Sequence, residues 1–220
     1  ANFYHFLLTS HPAGTQARTY VTETRAISPA VVNTFLLGFA PGNGTALTDF
    51  LVKKKGYKAE DLIDAGLAIR RGTRLVDFFR NRLIFPIFDV RGNIIAFSGR
   101  TLSPDPPAGG PKYINTKETL VYHKRDTLYG LNLAKDSIRD EHKVILVEGE
   151  FDVISSFKEG IKHIVAIKGT ALTESQIKVL KRYAEKIQFC FDKDSAGEEA
   201  QKRSILMIEK ENILASVIIL

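Results

Sequence analysis

Cysteine is almost absent from this chain: Cys190 is the only one. An intrachain disulfide is therefore impossible, and a zinc site built on thiolates is not expected. Cys190 sits in the apolar run Phe189-Cys190-Phe191 and is expected to be a small buried residue. No apolar stretch is long enough to span a bilayer, so no transmembrane helix is expected. The first residues, Ala1-Asn2-Phe3-Tyr4-His5, lack the basic-then-apolar layout of a secretory signal. No internal repeat occurs. These absences point to a cytoplasmic protein.

What is present fits a soluble globular chain. Hydrophobic residues make up 44% and charged residues 25% of the 220 positions. The formal net charge is +6, and it is unevenly spread. Residues 1–142 carry 19 Lys and Arg against 13 Asp and Glu, whereas 143–220 carry 12 of each. The whole positive excess lies in the first part. A basic region joined to a neutral one suits a protein that holds a polyanion with one part and performs acidic, metal-based chemistry with the other. On charge alone, a merely soluble basic protein explains the same numbers.

The second region, from 143 onward, has the clearer pattern. Strands are expected over Lys143–Val147, His163–Ile167, Lys186–Phe191 and Ala215–Leu220. Between them lie helical stretches: Asp152–Lys158, stopped by Gly160; a helix opened by a Thr173/Gln176 capping box and running to about Glu185; and one opened by Ser195/Glu198 and running to about Glu211. Alternating strands and helices imply right-handed crossovers and a parallel sheet, with ligands at the carboxyl ends of the strands. The first region reads as mixed α+β. Residues 28–38, 45–55 and 126–136 are expected to be helical. Leu83–Asp89 and Ile94–Arg100 read as strands around a turn at 90–93, with Pro86 placing the first at an edge or beside a bulge. Ser103–Pro111, with four prolines and two glycines, is a loop.

Four carboxylates stand out. Glu148 follows one expected parallel strand, with Gly149 allowing a sharp exit and Asp152 about one turn on. Asp192 and Asp194 follow another strand, two residues apart and so pointing the same way. Gathering carboxylates costs electrostatic energy unless a cation offsets it. A set of oxygens with no histidine or thiol selects hard ions such as Mg2+ or Mn2+, and the chemistry suited to that set is metal-assisted phosphoryl or nucleotidyl transfer. Any one of these residues alone is more simply a helix cap, Asp152 above all.

Glu148-Gly149-x-x-Asp152 together with Asp192-x-Asp194-x-x-Gly197 resembles the Toprim domain over residues 143–220. Further motifs, in order, resemble the catalytic core of bacterial DnaG-type DNA primases. They are Thr24-Arg25-Ala26-Ile27-Ser28, Leu37 to Pro41, Arg80 to Ile87, Gly99-Arg100, Lys112 to Asn115, His123-Lys124, Leu128-Tyr129-Gly130 and Lys168 to Thr173. The resemblance implies a mixed α+β subdomain over 1–142, followed by a Toprim-type parallel-sheet α/β subdomain over 143–220. It implies synthesis of RNA primers on a single-stranded DNA template from ribonucleoside triphosphates, with Mg2+ or Mn2+ and no zinc in this part. Glu148, Asp152, Asp192 and Asp194 would hold metal, with Glu148, Asp192 and Asp194 catalytic. Arg25, Arg100, Lys112 and Tyr113, and more weakly Arg82 and Lys124, would line the nucleotide and template groove. The expected state is a monomeric core away from any membrane, with a replicative helicase bound through a further C-terminal domain. An excised core lacking its zinc-binding and helicase-binding domains, and ending just before a further acidic motif, is the expectation for the chain's extent.

Two departures from the family pattern are visible. Lys193 stands where glycine is usual, and Glu150 stands where an aromatic is frequent. The added carboxylate either tunes the metal site or lies outside it. Competing readings are a Toprim nuclease or topoisomerase fragment, and a non-catalytic nucleic-acid-binding scaffold. As isolated residues the five basic side chains are ordinary solvated charges, and Tyr113 a core aromatic beside a loop.

Overall fold

The computed structural model describes residues 1–102, 110–168, 172–191 and 204–218. The chain packs as two compact units, one of residues 1–87 and 94–122, the other of 88–93 and 123–220. The Pro-rich loop at 103–109, the Ser195/Glu198 capping box, Lys193 and Gly197 lie outside the described residues.

In the first unit five helices, α1 Asn2–Thr9, α2 Thr15–Thr19, α3 Pro29–Thr34, α4 Ala46–Asp49 and α5 Ala59–Asp64, accompany strands β1 Gly38–Ala40, β2 Ala68–Arg71, β3 Arg74–Asp77, β4 Arg82–Phe88, β5 Ile94–Thr101 and β6 Tyr113–Asn115. The sheet order is β1-β4-β5-β6, with β2-β3 a separate antiparallel ribbon. Tyr4, Ala40, Leu47, Phe79, Ile84 and Phe97 pack together as its core. Pro86 is not on an edge strand, because β4 lies between β1 and β5. It is tolerated because β1 is short: its pairing ends at Gly38 opposite Ile84, two residues before the proline. The helix expected over 28–38 is capped by the Ser28 hydroxyl but stops at Thr34. Leu36 then takes φ +51 and residues 38–40 join the sheet. In 45–55 four α-helical residues give way to a π turn over Phe50–Lys54.

The second unit holds β7 Leu128–Tyr129, α6 Leu131–Glu141, β8 Lys143–Val147, α7 Glu150–Lys158, β9 Ile164–Ile167, α8 Glu174–Leu180, β10 Lys186–Phe189 and β11 Leu214–Val217, with residues 204–210 helical. The sheet order is β11-β10-β8-β9-β7, parallel throughout except for antiparallel β7. Leu146, Val165, Ile187 and Phe189 from the strands meet Leu131, Ala134 and Ile138 of α6 and Ile177 of α8 in one core. The Thr173/Gln176 capping box is formed, at 3.1 and 3.0 Å. The helix expected over 126–136 begins only at Leu131: Leu128 and Tyr129 pair with β9, and Gly130 at φ +85 breaks the chain direction. Cys190 is half-buried rather than buried. The 88–93 turn belongs to this unit, with Lys135 donating to the Val90 carbonyl at 3.0 Å.

Candidate nucleotide and metal sites

In the first unit the basic residues gather around a tyrosine. Tyr20–Thr24 winds as a π turn, and the Arg25 N–H donates to the Tyr20 carbonyl at 3.0 Å. An α-helix would splay residues five apart by about 140°, whereas an i→i+5 turn stacks them. Arg25 Nε accordingly donates to the Tyr20 hydroxyl at 2.7 Å. Arg100 pairs across the sheet with Tyr113, and its guanidinium lies 5.1 Å from the Tyr20 ring centre and 5.9 Å from that of Tyr113. A cavity of about 390 Å³ opens between Tyr20, Thr24, Arg25, Arg100, Thr101, Leu102 and Lys112. Among the described residues its walls carry two guanidiniums, one ammonium and no carboxylate, a composition suited to phosphate oxygens.

Arg82 is not among the residues that wall this cavity. Arg82 spends its fork on three backbone carbonyls, donating to Gly99 and Lys112 through Nη1 and to Pro111 through Nη2, each at 3.0 Å. Burial lowers its pKa from the ordinary value, yet a guanidinium stays charged. It therefore fixes the backbone that carries Lys112. Lys124 begins a 3₁₀ turn of the second unit and is exposed. Tyr20 was not foreseen from sequence; nothing in Tyr20-Val21-Thr22-Glu23-Thr24-Arg25 marks a π turn.

In the second unit Glu148 follows β8 directly and is exposed, as is Asp152. Asp152 Oδ2 accepts the Gly149 N–H at 3.0 Å, closing the start of α7. Gly149 does not provide a sharp exit by unusual torsion: its φ of −125° is extended backbone open to any residue. It provides space, since a Cβ there would lie 3.0 Å from Asp152 Oδ2. β10 runs parallel beside β8, and the Cys190 N–H still bonds the Leu146 carbonyl at 2.9 Å. Asp192 and Asp194 lie outside the described residues. Among the described residues no three His, Cys, Asp or Glu side chains come together as a metal site. Glu150 is turned inward, 5% exposed, and ion-paired with buried Lys168.

Residues 3–135 match the family model for the DNA primase catalytic core, N-terminal domain. This chain belongs to the DNA primase catalytic core family. Residues 145–220 of the core match a Toprim-like model. The core is 44% identical over 213 residues to a DNA primase of Synechocystis, covering 95% of this chain and 33% of that protein. It spans about a third of the length of the curated relatives it matches. Its fold matches the RNA polymerase domain of Mycobacterium tuberculosis primase DnaG with a TM-score of 0.88 at 32% identity, covering 99% of this chain and 72% of that one. A DnaG primase catalytic domain bound to single-stranded DNA matches at 35% identity and a TM-score of 0.85, covering 100% of this chain and 68% of that one. Among the described residues, no helix of the primase core is long and apolar enough to cross a membrane.

Proposed function

We propose that the chain is the polymerising part of a bacterial DNA primase, building RNA primers on single-stranded DNA from ribonucleoside triphosphates in the cytoplasm. The observation that carries this is the cavity walled by Arg25, Arg100 and Lys112 in a chain of the primase core family. Residues 1–142 form the basic half, and 143–220 the Toprim subdomain.

Arg25, Arg100 and Lys112 hold triphosphate or template phosphates by charge-assisted hydrogen bonds. Tyr113, half-buried beside Arg100, offers a ring face on which a base stacks. Arg82 serves by positioning Lys112, and Lys124 adds an exposed charge for backbone contact. Glu148, Asp152, Asp192 and Asp194 are the set that holds Mg2+ or Mn2+. The fit rests on donor chemistry: four carboxylates with no thiol or imidazole among them, of which Glu148 and Asp152 are exposed. When bound, divalent ions supply an activated attacking oxygen and a stabilised leaving pyrophosphate. As the alternative to holding metal, Glu148 acts as the general base that accepts the proton of the attacking 3′-hydroxyl. The core acts as a monomer, and a replicative helicase engages the protein through a C-terminal domain.

The test is synthesis on single-stranded DNA with ribonucleotides and Mg2+ or Mn2+, using the full-length protein. Template-dependent dinucleotides are expected, and Asp192→Ala is expected to abolish them while DNA affinity holds. DNA nicking without synthesis would point to a nuclease, and binding without turnover to a scaffold; either result overturns the proposal.

A further inference from the structure

Glu150 and Lys168 form an ion pair inside the second unit, with side chains 6% and 5% exposed. Withdrawing two charges from water is costly, and an apolar pair of similar volume fills such a space as well or better. Stability alone therefore gives no reason for the pair. Its location does. Glu150 is the first residue of α7 and stands between Glu148 and Asp152 in sequence. Lys168 directly follows β9, the strand hydrogen-bonded to β8. The pair thus ties the turn after β8 to the exit of β9.

The tie extends to a third element. The Lys168 ammonium lies 5.8 Å from the ring centre of Tyr129, which is buried on β7 and paired with Ala166 of β9. Next to Tyr129, Gly130 lies close against α7: a Cβ there would lie 3.0 Å from Val153 Cγ1, a contact tighter than side chains ordinarily make. The start of α7 is therefore seated against β7 and fastened to β9. With Lys168 as counter-charge, Glu150 adds no net negative charge to a stretch already holding Glu148 and Asp152.

We infer that Glu150 and Lys168 are positioning residues, holding the Glu148-Gly149 turn and the first turn of α7 so that Glu148 and Asp152 present their carboxylates together to a divalent ion. This rests on the metal assignment proposed above. Neither residue touches the ion; both act through the backbone between Glu148 and Asp152, a directional role that an apolar pair of equal volume lacks.

Mn2+ binding to the full-length protein, followed by loss of the free-ion electron paramagnetic resonance signal, tests it alongside urea unfolding. Glu148→Gln should weaken Mn2+ binding with little change in the urea midpoint. Lys168→Met, which strands Glu150 without its counter-charge, should lower both. The decisive variant is Glu150→Met with Lys168→Leu. It should regain the urea midpoint but bind Mn2+ about tenfold more weakly than wild type, the scale seen when the support of a metal ligand is removed. Recovery of affinity together with the midpoint would reduce the pair to packing and overturn the inference. If that double variant binds normally while Glu148→Gln does not, only the positioning role fails. If Glu148→Gln itself binds Mn2+ normally, the metal assignment fails and the inference falls with it.

Discussion

Arg82 and Lys112 are both cations of the first unit, yet their surroundings assign them different work. Arg82 reaches three carbonyls that a lysine ammonium, with no planar fork, cannot satisfy together. Arg82→Lys should lower the free energy of urea unfolding by about 1–3 kcal/mol while leaving the salt dependence of DNA binding as steep as before. Lys112 is exposed at the cavity wall. Lys112→Ala should change stability by no more than about 0.5 kcal/mol, and should make the log–log salt slope on single-stranded DNA shallower by about 0.7, the loss of one phosphate contact. An unchanged slope removes Lys112 from the phosphate path. Sequence order brought both residues forward through the family resemblance, but it did not separate phosphate contact from backbone support. That distinction depends on where the Pro111 and Lys112 carbonyls point. The same holds for Glu150, whose inward turn depends on Lys168 eighteen residues away.

The start of α7 performs two tasks with one side chain. The Asp152 carboxylate accepts the Gly149 N–H, and it is also proposed to face a metal ion. Asp152→Asn keeps an oxygen acceptor and removes the charge. It should hold the urea midpoint nearly constant while weakening Mn2+ binding. Asp152→Ala should lose the cap as well, at about 0.3–1 kcal/mol for a carboxylate at a helix N-terminus. If both variants bind Mn2+ normally, Asp152 is a cap alone. At this scale the alternation of β8, α7, β9, α8 and β10 was legible, because apolar runs and a Thr/Gln capping box set those bounds locally. β7 was not, for two residues carry no period and become a strand only by pairing with β9. The π turn at Tyr20 escaped as well, since no residue of Tyr20–Thr24 carries a sequence signal for its extra residue.

Across the whole molecule the charge asymmetry and the parallel sheet were legible, since one is composition and the other follows from alternation. The way the second core is completed was not. A boundary at 142/143 follows the change in sequence pattern, and the Toprim-like match begins at 145, but the compact unit begins at 123 and also takes in 88–93. Leu128, Leu131, Ala134 and Ile138 are packed in the same core as Leu146, Val165 and Phe189. Burying a Leu or Ile side chain contributes about 1.5–3 kcal/mol, so losing three of them removes roughly 5–9 kcal/mol, comparable to the whole stability of a small domain at about 5–15 kcal/mol. Two pieces that share everything after residue 143, differing only in whether 123–142 is present, should therefore behave differently. The longer one gives up the cover of Val90 and the bond from Lys135 to its carbonyl. It should unfold in urea as a cooperative transition. The shorter should show a broad, probe-dependent loss of structure and bind a hydrophobic dye, because the surface that α6 covers faces water. Equal cooperativity in the two would mean that α6 merely rests on a core already complete without it.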